Sequence, residues 1–242
     1  MSQWARLRSV LDAVHVPDSE AALLDGLMAD KGVRVVSFVN AHAYNVSAKD
    51  TDFANALIQS DILLRDGSGM KILMKLMGRD PGPNLNGTDL IPQIISRHSK
   101  AGHPVALLGT QEPWLSNTAD KLRADAVDIS LTEDGFQPED HYLTALTKTP
   151  ARLADLGMGM PKQERVSMLL RENLDGPLLV ITGGAVIDFM GGKVTRAPAW
   201  MRGLGIEWVY RLLKEPRRLF RRYIIGNVAF LWRALRLKLG AK

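Results

Sequence analysis

The chain has 242 residues, 46% of them hydrophobic and 24% charged, a balance typical of a folded globular protein rather than a disordered one. It contains no cysteine, which excludes disulfides, a thiolate nucleophile and thiolate metal ligands. No apolar run reaches the roughly 18 residues of a membrane span, and the N-terminus lacks the apolar run of a signal peptide, so any membrane contact is expected to be peripheral.

Short apolar runs alternate with amphipathic segments along the chain. Taken in order, the pattern predicts strands and helices at 33–39 (strand), 47–60 (helix), 62–64 (strand), 68–77 and 88–100 (helices), 104–108 (strand), 113–124 (helix), 126–131 (strand), 138–147 (helix), 152–156 (strand), 161–173 (helix) and 178–182 (strand). This alternation predicts an α/β fold: a mostly parallel, Rossmann-like sheet covered by helices on both faces.

The segment Gly183 to Gly205 is rich in Gly and Pro and is predicted to be a loop region. It separates two predicted units. Residues 1–203 are expected to form the α/β domain, and residues 204–242 a basic, amphipathic, helical appendage at the C-terminus.

In open α/β sheets, ligands bind beyond the carboxyl ends of the strands. Asn40 follows the first predicted strand and Asp66 the second, while glycines follow the later strands at Gly109, Gly157 and Gly183. Such turns let backbone N–H groups and helix N-termini approach a phosphate. None of them completes G-x-G-x-x-G or the Walker lysine motif, so the turns alone do not identify a class of nucleotide-binding enzyme.

Asp66 is the most informative ionisable residue. A carboxylate directly after an apolar strand lies half out of water, which raises its pKa and makes it a better general base. The structural alternative is an Asx turn or an N-cap for the next helix. Asp50 and Asp52 have the D-x-D spacing of some metal sites, but they fall in the first turn of a predicted helix, where acids favour the dipole, and we interpret them as a helix start.

The C-terminal segment is strongly basic. Residues 207–242 carry ten Lys and Arg and two Glu, whereas the net charge of the whole chain is +5, so residues 1–206 carry −3. Basic residues at helical spacing beside aromatic ones predict a helix on an anionic membrane surface or a clamp for a phosphorylated ligand. The structural alternative is the charged outer face of a helix docked on the body. Nucleic-acid binding is disfavoured because residues 1–206, the body of the protein, are acidic and the sequence shows no known nucleic-acid-binding module.

A set of motifs occurs in order along most of the chain. They are Asp66-Gly67-x-Gly69, Gly87-x-Asp89-Leu90, Gly157-x-Gly159-x-Pro161-Lys162-Gln163-Glu164, Gly184-Ala185-x-x-Asp188-x-x-x-Gly192, Arg196-Ala197-Pro198-x-Trp200, Gly205-Ile206-Glu207-Trp208-x-Tyr210-Arg211, Glu215-Pro216-x-Arg218 and Arg221-Arg222-Tyr223. With these motifs, residues 33–232 resemble the WecG/TagA/CpsF glycosyltransferases, glycosyltransferase family 26, and the C-terminal run is the most specific part of the likeness.

The resemblance implies a cytoplasmic, inverting, metal-independent enzyme without a cofactor, peripheral on the inner face of the plasma membrane. It would move a sugar from a nucleotide-sugar donor, typically UDP-linked, to a polyprenyl-diphosphate-linked saccharide in the synthesis of a cell-surface polymer or exopolysaccharide. Homo-oligomerisation stays open. The family's general base matches Asp66. Its substrate-binding residues match Asn40, Asp89, Gln163, Glu164, Asp188, Arg211, Arg218 and Arg221.

Two positions depart from the family pattern. Many members have Thr-x-Asn after the first strand, but here Phe38 stands two residues before Asn40. Many have Arg shortly before Gly-x-Asp-Leu, where this chain has Asn84. Both positions bear on donor selectivity, so the donor sugar is left open. Two other classes remain as alternatives: a Rossmann-like nucleotide-binding enzyme of another kind, and a non-enzymatic protein that binds anionic lipid.

Overall fold

The computed structural model describes residues 1–240, so the last two residues of the predicted appendage, Ala241 and Lys242, lie outside the described part of the chain. A six-stranded, all-parallel sheet forms its centre, with strand order β2-β1-β6-β5-β3-β4. The strands are β1 Val33–Val39, β2 Ile62–Arg65, β3 Val105–Gly109, β4 Ile129–Glu133, β5 Leu153–Gly157 and β6 Leu178–Ile181. The prediction of a mostly parallel α/β sheet is confirmed.

Helices surround the sheet and form the C-terminal region. In chain order they are α1 Gln3–Asp12, α2 Glu20–Leu27, α3 Ala41–Ser47, α4 Thr51–Gln59, α5 Gly67–Leu76, α6 Gly87–Lys100, α7 Trp114–Ala124, α8 Glu139–Lys148, α9 Lys162–Asn173, α10 Val186–Met190, α11 Ala199–Gly203, α12 Glu207–Lys214, α13 Pro216–Phe220 and α14 Gly226–Lys238. A π-helical segment, Arg221–Ile225, joins α13 to α14, and we call it the π-turn.

Alternate residues of β1 show how the two faces of the sheet are covered. Val36 and Phe38 pack into a core built with α2, α6, α7 and α10. Val35 points to the opposite face and packs with α8 and α9, and Val39 packs with α1, α3, α4, α5 and α14. Because successive side chains of a strand point to opposite faces, a strand such as β1, whose last five residues are all buried, requires cover on both sides.

Several element boundaries differ from the prediction. Residues 41–47 form a separate helix, α3, so Ser47 ends a helix rather than starting one, and Asp50 caps α4 by accepting a hydrogen bond from the Phe53 N–H at 2.9 Å. The predicted loop 183–205 contains the short helices α10 and α11. The fourth strand begins at Ile129 because Ala126 takes a left-handed conformation, with φ 61°.

The C-terminal segment is divided into several helices. After α12 and α13, the chain passes through the π-turn into α14, whose residues Phe230, Ala234 and Leu237 are buried in the same core as α1 and α3. The rings of Trp4 and Trp232 lie 5.6 Å apart. Helix α14 therefore docks on the body through one apolar face. The division of the chain at residues 203 and 204 stays a prediction.

Among the helices within residues 1–240, none combines the length and the apolar character that crossing a membrane would require.

Candidate active site

A cleft of about 290 Å³ lies along the carboxyl ends of the strands. Its floor consists of the turns that follow the strands, and the C-terminal helices form one wall. The residues that line it include Asn40, Asp66, Thr110, Phe136, Gln163, Asp188, Lys193, Arg211, Arg218 and Arg222, together with Gly157, Gly159, Gly183 and Gly184. The structure thus joins the strand-end residues to the basic C-terminal segment.

The register of the first two strands brings Asn40 and Asp66 together. Val39 pairs with Arg65 in the parallel β1–β2 ladder, so the next residue of each strand lies at the same level of the sheet edge. The Nδ2 of Asn40 donates a hydrogen bond to Asp66 Oδ2 at 3.4 Å. The Oδ1 of Asn40 accepts from the N–H groups of His42 and Ala43, both at 3.0 Å, and so caps α3.

Asp66 occupies the N-cap position of α5, but its side chain makes no capping hydrogen bond. The carboxylate is half-buried and lines the cleft. Burial raises the pKa of Asp66, while the hydrogen bond from Asn40 and the charges of Arg222, Arg211 and Arg65 hold that pKa down. A raised pKa suits a general base, and the nearby arginines favour the ionised form that a base requires.

Three arginines from consecutive C-terminal elements line the cleft: Arg211 from α12, Arg218 from α13 and Arg222 from the π-turn. Within residues 1–240, the Nε atoms of Arg211 and Arg222 are buried without a hydrogen-bond partner. Arg218 binds Glu215 through its Nε, at 2.5 Å from Oε2. Buried guanidinium donors without a partner are costly unless an anion completes them, so this wall of the cleft suits a phosphorylated ligand.

Arg221 does not lie where the sequence analysis expected it. It is exposed and is not among the residues that line the cleft, whereas its neighbour Arg222 faces Asp66. Successive residues of a helix point about 100° apart, so two adjacent arginines do not both face the cleft. Helical spacing grouped Arg221 with Arg222 in the sequence and did not distinguish which of the two lines the cleft.

The Gln163–Glu164 pair sits at the start of α9, with only its first member on the cleft. Gln163 Nε2 donates to Glu164 Oε1 at 2.9 Å and to the Thr182 carbonyl at 3.3 Å, while its Oε1 accepts from the Gly159 N–H at 3.2 Å. Glu164 is fully buried, and burial raises its pKa to about 7. Glu164 thus supports Gln163 from below and does not reach the cleft surface.

Glycine turns meet where β3 and β5 lie side by side. Gly109 pairs with Gly157, and a Cβ on Gly109 would come within 2.4 Å of the Gly157 carbonyl carbon. From this point β3 leads to β4 on one side, and β5 leads to β6 on the other. Neighbouring strands whose connections diverge leave a crevice between them, which is the usual ligand position in such sheets.

Asp188, at the start of α10, belongs to a small polar cluster beside this crevice. The Thr110 hydroxyl donates to its carboxylate, and Lys193 Nζ lies 3.1 Å from Asp188 Oδ1 and 3.4 Å from Thr110 Oγ1. Thr110 takes a left-handed conformation, with φ 52°. Such backbone strain in a non-glycine residue is concentrated at functional sites. Neither Thr110 nor Lys193 was selected as a site residue from the sequence. Thr110 belongs to the turn that follows the predicted strand 104–108, which is a positional signal, whereas Lys193 has no such signal.

Asp89 is placed outside the cleft. Its Oδ1 accepts from Arg196 Nη1 at 2.5 Å and its Oδ2 from Asn86 Nδ2 at 2.8 Å. The hydrogen bond from Arg196 is the main reason that the pKa of Asp89 is lowered. These contacts tie the start of α6 to the segment before α11, so Asp89 supports the cleft wall near Gly87 and Thr88.

Phe136 also lines the cleft although the sequence analysis did not select it. Its side chain is 74% exposed on the turn after β4. Lys162 holds this turn by donating to the carbonyls of Gly135 at 2.9 Å and Gln137 at 2.5 Å. An exposed aromatic ring on a braced turn is a suitable surface for a flat ligand group.

Metal ligands were sought in the same part of the chain. Over residues 1–240, the His, Asp and Glu side chains form no group of three that could hold a metal ion. The Asp50 and Asp52 spacing falls at the start of α4, as interpreted from the sequence.

One comparison with known proteins bears on this cleft. The profile of the family described as "Glycosyl transferase WecG/TagA/CpsF family" matches residues 6–242. The match includes the strand-end turns, Asp66 and the C-terminal segment that closes the cleft. Because it covers nearly the whole chain, this protein belongs to the WecG/TagA/CpsF family and is a glycosyltransferase.

Proposed function

We propose that the protein transfers a sugar, with inversion, from a nucleotide diphosphate donor to a polyprenyl-diphosphate-linked saccharide in the synthesis of a cell-surface polymer. The observation that carries this proposal is the meeting of Asp66 with Arg211, Arg218 and Arg222 in one cleft. A general base and a set of anion-binding side chains are what a transfer with a diphosphate leaving group needs. The family match favours this reading over both a different nucleotide-binding enzyme and a non-enzymatic lipid-binding protein.

The donor fits along the sheet edge. Its nucleoside would occupy the crevice at β3 and β5, beside Phe136 and Asp188, with the diphosphate over the glycine turns. β5, β6, β1 and β2 are successive neighbours in the sheet, and at roughly 4.8 Å per strand spacing Asp66 lies on the order of 14 Å from that crevice. This span suits a nucleotide sugar whose anomeric carbon lies near Asp66.

The chemistry follows from this orientation. Asp66 takes the proton from an acceptor hydroxyl as the oxygen attacks the anomeric carbon, and the bond to the nucleoside diphosphate breaks on the opposite face. The charge that develops on the departing phosphate meets backbone N–H groups and the guanidinium groups of Arg211 and Arg222, whose buried Nε atoms have no hydrogen-bond partner within residues 1–240. Asn40 keeps the Asp66 carboxylate oriented by its hydrogen bond.

The C-terminal segment also offers a surface for lipid. Eleven of the fifteen large hydrophobic side chains that are exposed within residues 1–240 lie between Trp200 and Leu239. The exposed residues Val228, Trp232 and Leu235 of α14, and Leu239 directly after it, recur at spacings of four and three, on the side away from the buried Phe230. We name this stripe the α14 apolar stripe.

Basic residues flank the α14 apolar stripe. Arg217, Arg221, Arg236 and Lys238 are exposed on the same C-terminal elements. Apolar area combined with positive charge is the pair of signals that gives useful peripheral binding to anionic membranes. The proposal therefore places the protein on the inner face of the plasma membrane, where a polyprenyl carrier would present the acceptor. Assembly into a homo-oligomer stays a prediction.

A donor and acceptor screen tests the proposal. The protein is incubated with UDP- and GDP-sugars and a polyprenyl-diphosphate saccharide in anionic micelles, and the product is analysed by mass spectrometry and by NMR of the new glycosidic bond. We expect one donor to be consumed and the anomeric configuration to be inverted. Transfer with retained configuration would refute the proposed mechanism, and transfer only to water would refute the lipid-linked acceptor.

A further inference from the structure

The helix α3 connects two parts of the cleft that are far apart in sequence. Its first turn is capped by Asn40, which also binds Asp66. Near its other end, Asn45 contacts the C-terminal segment through both atoms of its side-chain amide. One helix of two turns thus lies between the candidate base and the segment that supplies Arg222.

The two hydrogen bonds of Asn45 span the exit of the π-turn. Its Nδ2 donates to the carbonyl of Gly226, the first residue of α14, at 2.7 Å. Its Oδ1 accepts from Arg233 Nη1, two turns further along α14, at 2.8 Å. The assignment of nitrogen and oxygen in the Asn45 amide agrees with its partners, because the nitrogen faces a carbonyl acceptor and the oxygen faces a guanidinium donor. Two contacts separated along one helix fix both its rotation and its axial position.

Arg222 is sensitive to that position. It lies on the π-turn, four residues before Gly226, and its side chain lines the cleft, whereas that of Arg221 is exposed. A π-turn carries an irregular backbone, which is stable only where the surrounding structure supports it. Burial lowers the pKa of His42, on α3, to about 4, and the nearby Arg222 charge adds to this effect.

We propose that Asn45 is a positioning residue that holds the π-turn in place through Gly226 and Arg233, and so keeps the Arg222 guanidinium in the cleft opposite Asp66. Asn45 itself does not line the cleft. The proposal rests on the proposed function only for the role of Arg222 in transfer. The position of residue 222 does not depend on the proposed function, because it is measured without any substrate.

Cysteine labelling provides that measurement, because the native chain has no cysteine. Arg222→Cys and Arg221→Cys are made separately, each in the native chain and together with Asn45→Ala, and labelling by a maleimide is followed over time. We expect Asn45→Ala to speed labelling at position 222 by roughly tenfold, the effect of losing one or two ordinary hydrogen bonds. Labelling at position 221, which is already exposed, should change less than about twofold, since surface sites respond weakly.

Three further variants keep the test decisive. Asn45→Asp retains the acceptor for Arg233 but loses the donor to Gly226, so we expect an intermediate labelling rate, and Asn45→Gln should restore part of the protection. If Asn45→Ala does not fold by circular dichroism, the same comparison is made with Asn45→Asp. Asn173→Ala serves as the control, since it removes an exposed amide hydrogen bond, to the Leu169 carbonyl, at the end of α9. Equal labelling of position 222 in the native, Asn45→Ala and Asn45→Asp backgrounds would overturn the proposal.

A double-mutant cycle on sugar transfer separates this inference from the proposed function. Asn45→Ala and Arg222→Ala should each lower the transfer rate, and the double variant should lose no more than Arg222→Ala alone, because both changes remove the same contact. Additive losses would overturn the positioning role even if transfer itself is confirmed. Absence of transfer in the native protein would contradict the proposed function and leave the labelling result to decide the role of Asn45.

Discussion

Asn40 Nδ2 lies 3.4 Å from Asp66 Oδ2, at the next level beyond the Val39–Arg65 pair of the β1–β2 ladder. The sheet register therefore sets the distance between the two side chains, while the α3 cap fixes the Asn40 rotamer through the N–H groups of His42 and Ala43. Asp66 thus receives an oriented hydrogen bond from a rigid element rather than from a loop.

Replacing Asn40 by Ala tests this relationship. The hydrogen bond from Asn40 lowers the pKa of Asp66, so its loss raises that pKa further and moves the acidic limb of the kcat/KM profile to higher pH. The lost cap of α3 should also reduce the free energy of unfolding by about 1 kcal/mol. Transfer rates between pH 5 and 9 and a urea titration measure the two effects. An unshifted acidic limb would show that Asn40 does not influence the base.

Replacing Asp66 by Asn tests the base itself. The substitution keeps the shape of the side chain and removes its ability to take a proton, so kcat should fall by about 10²-fold or more. Donor binding, followed by calorimetry with UDP or the preferred nucleotide, should change little, because the nucleoside end of the cleft is distant. The circular dichroism spectrum should stay the same. Turnover close to that of the native protein would remove Asp66 from the mechanism.

The α14 apolar stripe gives the test of membrane binding. Val228 and Leu235 are 66% and 53% exposed, so changing both to Ser removes apolar contact with lipid and leaves the packing of Trp232 on Trp4 in place. Sedimentation with phosphatidylglycerol vesicles should fall by at least tenfold for a loss on the order of 2 kcal/mol of apolar transfer energy. Deleting the whole segment is a poorer test, because α14 also buries Phe230 and Leu237 in the body.

An exposed hydrophobic residue outside the C-terminal segment provides the control for that experiment. Ile72, on α5, is also about half exposed, at 52%, and Ile72→Ser should leave sedimentation unchanged. Raising the salt concentration should weaken binding of the native protein, since the flanking arginines contribute through charge. If Ile72→Ser weakens sedimentation as much as the double change does, the membrane contact lies elsewhere.

Asp155 predicts a pH-dependent change in stability. It is fully buried on β5, its carboxylate oxygens have no hydrogen-bond partner within residues 1–240, and burial raises its pKa to about 7 from an ordinary value of 3.8. Ionisation is therefore unfavourable in the folded state. This group reduces the free energy of unfolding as the pH rises from about 4 to about 7.

Asp155→Asn should accordingly raise the free energy of unfolding above pH 7, by an amount on the order of a few kcal/mol, and should have little effect near pH 4. Thermal unfolding at both pH values measures the difference. Asp175→Asn, at an exposed position, is the control and should show no such dependence. A gain in stability that is equal at the two pH values would show that Asp155 is not held neutral by burial.

Local sequence determined the sheet and the identity of its edge residues. The bounds of β1 were predicted correctly, because four valines and Phe38 make residues 33–39 mostly apolar and rich in β-branched side chains between Gly32 and Asn40. The positions of Asn40 and Asp66 at neighbouring strand ends followed from the same pattern. Burial preferences and backbone propensities act over a few residues, so they are visible in the sequence.

The contacts between distant segments were decided only by the tertiary structure. Arg222 lines the cleft and Arg221 is exposed because the docking of α14 on the body sets which side of the π-turn faces the cleft, and Glu164 is buried because α9 packs it beneath Gln163. Helix α14 turns one apolar face to the body and leaves the other exposed, a choice that depends on α1 and α3. An amphipathic pattern shows which side chains are apolar. The shape of the surface on which the helix docks decides which of those apolar side chains are covered.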